Sequence, residues 1–111
     1  MPQTPCKTVD LRDVAARAQN ARHMLTGICL AMPALDGLCR HVRDSLADVP
    51  PMAAEIGCLR RDLARTRLCR ANLAAAGRAA FAAQQQGEAD PLSYLRDELA
   101  AQGYADPQGA A

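Results

Sequence analysis

A chain of 111 residues has room for one domain with a modest core and little room for an enclosed cofactor cavity. Its 24 Ala and 12 Arg, against one Lys, no Trp, one Phe and two Tyr, favour helix and leave too few β-branched and aromatic residues for a sheet fold. A net charge of +1 argues against a protein that wraps a polyanion.

These counts imply an all-α chain. Arginine in place of lysine beside abundant alanine also matches GC-rich bacterial coding, which gives the arginines a cause other than chemistry. The longest uncharged run near the start, Met24 to Leu35, is 12 residues, short of the roughly 20 that span a bilayer. No membrane segment is expected, and Met1 to Asp10 lacks the apolar stretch of a secretory signal. The five cysteines (Cys6, Cys29, Cys39, Cys58, Cys69) have unrelated spacings, unlike a disulfide framework, so a reduced, cytoplasmic setting is expected.

Taken in order, residues 1–10, with Pro2 and Pro5, read as a flexible arm. Asp10 is an N-cap candidate and Asp13 places a carboxylate in the first turn. From Leu11 to Val49 an unbroken ladder of apolar residues runs at steps of three and four: Leu11, Val14, Ala18, Ala21, Leu25, Ile28, Met32, Leu35, Cys39, Val42, Leu46 and Val49. Pro33 and the Asp36–Gly37 pair interrupt it, so a kink or a break is expected there, and the phase kept afterwards favours one kinked helix over about 11–49.

Asp48-Val49-Pro50-Pro51 reads as a hard stop where the chain turns. A second helix is expected over about 52–86, with Met52, Ile56, Leu59, Leu63, Leu73 and Ala80 on one stripe. So short a connection predicts an antiparallel helical hairpin. Gly87 is a candidate helix terminator; Asp90-Pro91 would start a short C-terminal helix over about 91–102, with Leu92, Leu95 and Leu99 on one face, Gly103 as its stop and a disordered tail over 103–111. The whole of 11–102 reads as a single helical domain.

Charge is uneven along this plan. Six basic and five acidic residues fall in 1–51, six and two in 52–86, and one and five in 87–111. The acidic last helix is therefore expected to lie on the basic second one, with Asp97 and Glu98 reaching arginines.

No stretch carries a catalytic signature, and no catalytic, cofactor-binding or metal residue is assigned. Cys39-Arg40-His41 brings two ligand types together, but the paired Cys-x2-4-Cys spacings of structural zinc are absent. Core cysteine is the preferred reading, as it is for most small thiols on a helical ladder. Arg60, Arg61, Arg65, Arg67 and Arg70, with Arg78, are the nucleic-acid candidates; they scatter around the helix and no aromatics interleave with them, so a solvated face is preferred. On the first helix the central e and g positions of the heptad are apolar too (Met24, Cys29, Ala31, Leu38), which suits a bundle better than a two-stranded zipper.

The string Arg70-Ala-Asn-Leu-Ala-Ala-Ala-Gly-Arg, followed by Gly87-Glu-Ala-Asp-Pro-Leu-Ser-Tyr-Leu-Arg-Asp-Glu-Leu99, resembles the ending of uncharacterised small Ala/Arg-rich helical proteins of actinobacteria. The resemblance covers about residues 59–102. It implies helix, short link and helix, and brings no activity.

The expected function is a non-enzymatic helical protein–protein interaction or regulatory module that self-associates. Met24, Leu25, Ile28, Ala31, Leu35, Leu38, Leu92, Leu95 and Leu99 are its contact candidates. The partner is a second copy or another helical protein, with no membrane and no small-molecule substrate inferred. A DNA-associated accessory protein using the second-helix arginines is the alternative, and a thiol-based sensor a distant third. A true break at Pro33 would instead let the chain fold back over its own apolar stripe.

Overall fold

The computed structural model describes residues 8–104, so the expected arm and tail fall largely outside the described residues. Every regular element among these is helical. In chain order they are α1 (Leu11–Ala31), a 3-10 turn (Pro33–Leu35), α2 (Asp36–Ala47), α3 (Val49–Gln85) and α4 (Ser93–Ala101). The chain divides into two compact units, residues 1–60 and 61–111, with the boundary inside α3.

In the first unit, the Asp10 carboxylate caps α1, accepting from the Arg12 N–H at 2.9 Å and the Asp13 N–H at 3.4 Å. α1 is not one kinked helix to residue 49. It ends at Met32, whose φ of −132° and ψ of 80° leave the helical region. The cause is Pro33: its ring pushes the preceding residue out of the α region, and it has no N–H to give the Cys29 carbonyl. The helix is therefore broken here, by a 3-10 turn.

The hard stop expected at 48–51 is corrected in turn. Asp48 stays helical (φ −77°, ψ −18°), and Pro50 and Pro51 fall in the first turn of α3. A first turn has no use for their missing N–H groups, because those positions lack an intrahelical acceptor. Position within the turn decides whether a proline ends a helix or begins one.

The core is made of small residues. Ala18, Cys39 and Ala53 are buried in the first unit, and Ala76, Ala80 and Ala83 in the second. α1 and α2 pack on each other, and their ladder residues Leu11, Val14, Ala21, Leu25, Leu35 and Leu46 are half-buried. Ile28, Met32 and Val42 are exposed. So shallow a layer buries only its seam, where close backbones admit alanine and larger side chains project past the contact.

Two of the cysteines depart from the expected reduced set. Cys29 and Cys39 are joined by a disulfide across the break, with Cα atoms 6.3 Å apart. Cys39 is a core residue, 2% exposed, whereas Cys58 is on the surface rather than in the core and Cys69 is half-buried.

In the second unit, Gly87 terminates α3 at a φ of +74°, a conformation that glycine adopts without penalty. The Glu88 N–H donates to the Ala83 carbonyl (3.0 Å) and the Gly87 N–H to that of Gln84 (3.2 Å), the paired bonds of a Schellman motif. Gly103 (φ +86°) repeats the device after α4, with Tyr104 N–H on Leu99 and Gly103 N–H on Ala100.

α4 starts two residues later than Pro91. Asp90 does not cap it; its carboxylate accepts from Arg96 at 2.9 and 3.4 Å, and Leu92 takes the cap position with no side-chain bond. The tie from α4 to α3 is the Gln102 Nε2, which donates to the Cys69 carbonyl at 2.9 Å and to Glu98 Oε1 at 2.8 Å.

Candidate interaction surface

The interaction candidates of α1 and α2 separate into two groups. Leu25 and Leu35 turn inward and are half-buried. Met24 and Leu38 are 73% and 62% exposed, and Ile28 and Ala31 are exposed with them. At about 100° per residue, Met24, Gly27, Ile28 and Ala31 form one stripe beside the core-facing Ala21 and Leu25. Leu30, 80% exposed, stands apart from this stripe, between Gln19 and His23 on the polar side of α1.

In the second unit Leu95 and Leu99 are half-buried and Leu92 is exposed. Leu92 and Leu95 line a shallow apolar cavity of about 150 Å³ with Gly77, Ala80, Phe81 and Pro91. A wider apolar cavity of about 320 Å³ in the first unit lies between Val9, Leu11 and Val14 on one side and Val49, Met52, Ala53 and Ile56 on the other.

The five nucleic-acid candidates are all exposed, as is Arg78. Arg60 has a structural task. Its Nη1 donates to the Val9 carbonyl at 3.0 Å and closes one end of the wider cavity.

Between α1 and α2 the structure gathers Gln19, Arg22, His23, Thr26 and Arg43 around a polar cavity of about 170 Å³. The apolar ladder gave no hint of it, although Gln19, Arg22, His23 and Thr26 repeat at helical spacing along one polar face of α1. Among the described residues, no group of three or more His, Cys, Asp or Glu is placed to hold a metal ion, and no helix is long and apolar enough to cross a membrane. Comparison with family models, with curated proteins and with solved structures finds no match for this chain.

Proposed function

We propose that this protein is a non-enzymatic interaction module that works by self-association, built on an antiparallel helical hairpin that reverses at Pro33. The hairpin is supported by the order of the pairings in the first unit. Cys29 meets Cys39, Arg22 and Arg43 share a cavity, Val14 and Ala53 share another, and Val9 bonds Arg60. The first index falls as the second rises, as antiparallel neighbours require.

The observation that carries self-association is the exposure of Met24, Ile28 and Leu38 while alanine fills the seam. Apolar side chains grouped on one flank are the ordinary mark of a contact surface. A second copy supplies an apolar face of the same length and spacing, so the stripe needs no other partner. Analytical ultracentrifugation across a hundredfold range of concentration tests this. Mass-action growth above 11.8 kDa is expected, reversed by Met24→Glu or Leu38→Glu; a single species at 11.8 kDa throughout overturns the proposal.

A second reading, a DNA-associated accessory role, is favoured by the surface exposure of the six α3 arginines. It requires a mobility shift that weakens steeply with salt and with joint replacement of Arg61, Arg65 and Arg67.

A further inference from the structure

Going round α1 from the core-facing Ala18, Leu25 and Cys29, away from the Met24 stripe, one comes next to Arg22, Thr26, Gln19 and His23. With Arg43 of α2 these line the open cavity of about 170 Å³. No carboxylate lines it among the described residues. Arg22 and Arg43 are both half-buried, and the ion pairs among the described residues, Arg40–Asp36 and Arg96–Asp90, include neither.

The contacts already present constrain what the cavity can hold. The Thr26 hydroxyl donates to the Arg22 carbonyl at 3.0 Å, so it offers a ligand only its lone pairs. Gln19 Nε2 lies 3.5 Å from His23 Nε2, which holds the two polar groups side by side on the rim. Arg43 Nη2 donates to Cys29 Sγ at 3.7 Å, a weak contact that uses one of the five guanidinium N–H donors.

A guanidinium is a donor-only group in a planar fork, matched in geometry to carboxylate and phosphate oxygens. Two such forks lining one cavity without a carboxylate offer an anion several charged donors at once. We infer that this cavity is an oxyanion site that takes phosphate or a small phosphate monoester, with Arg22 and Arg43 as the gripping residues and Gln19 and His23 at its rim. The site is independent of self-association, because its residues lie off the Met24–Leu38 stripe.

The test uses the full chain, followed residue by residue in nitrogen-15 NMR spectra as inorganic phosphate replaces chloride at constant ionic strength. Saturable shifts are expected at residues 19–26 and around 43. Arg22→Gln and Arg43→Gln should each weaken binding roughly 10- to 100-fold, the loss expected for one charged hydrogen bond. Arg78→Gln, far along α3, should leave it unchanged. Arg43→Lys keeps the charge without the fork, so it reads the site even if a glutamine variant unfolds, and it too should bind more weakly than wild type. Linear shifts indistinguishable from those of chloride, or wild-type affinity in both Arg43 variants, overturn the inference. Binding only to vesicles containing phosphatidic acid, with none to free phosphate, also overturns it.

Discussion

Opening the Cys29–Cys39 bond is the most direct test of how the first unit is held together. The bond closes a loop with a sequence separation of 10. Chain-entropy arguments give a loop of that length roughly 2.7 kcal/mol of stabilisation, exerted by restricting the unfolded chain. With so few large buried side chains in the unit, nothing else near the break matches that figure. For a domain of this size each kcal/mol moves the melting temperature by about 4–8 °C, so reduction should lower it by about 10–20 °C. Circular dichroism melts with and without a phosphine reductant measure the change. A Cys29→Ala/Cys39→Ala double variant should match the reduced protein or fall slightly below it, since Cys39 also loses its packed sulfur. A shift under about 0.5 kcal/mol on reduction would refute the reasoning. So would alkylation of Cys29 and Cys39 in protein that has never met a reductant.

Three further outcomes are expected. Leu25→Ala should destabilise by about 1–2 kcal/mol, roughly half of a fully buried leucine, and Ile28→Ala by less than about 1 kcal/mol; equal losses in urea melts would contradict the assigned facing of α1. Asp10→Ala removes the cap of α1 and should cost about 1 kcal/mol in the same assay, with Asp10→Asn retaining most of it; a neutral alanine variant would contradict the capping bonds. Hydrogen bonding from Arg96, aided by its charge, holds the Asp90 carboxyl below its ordinary value. Its contribution is thus fully present above the unfolded carboxylate pKa of about 3.9 and is lost as pH falls through the lower folded value. Carbon-13 NMR titration of Asp90 should therefore move upward in Arg96→Gln, and coincident curves would dismiss the pairing.

Three of the helical ends were legible because their signals are local. Asp10, Gly87 and Gly103 act through their own backbone neighbours, and the structure uses each as the residue type implies. The prolines were harder. Pro33 and Pro50 carry the same stereochemistry, yet one follows the end of a helix and the other sits inside a first turn, and residue type alone does not say which position a proline will take. That single reversal controls what else could be read. On one continuous helix, residues 29 and 39 stand about 15 Å apart and point in different directions, so their pairing was invisible. The Arg22–Arg43 cavity was hidden for the same reason. The apolar ladder did identify the inward side of α1, but spacing alone could not say that alanine, not leucine, would occupy the seam.

That alanine seam leaves one matter to the polar groups. In the second unit Ala76, Ala80 and Ala83 succeed one another at near-turn intervals, and a slide of α4 by one turn, about 5.4 Å, would set it against much the same surface. The methyl groups of α3 hardly oppose such a slide, so resistance to it falls to the half-buried Leu95 and Leu99 of α4 and to the polar groups. One amide adds a fixed point to this unit. Gln102 finds the Cys69 carbonyl at one register, and one turn away it meets another carbonyl with different flanking side chains. A protein zipped by alanine keeps its place by hydrogen bonds at the ends of the zip, so its helices are close neighbours long before they are correctly aligned ones.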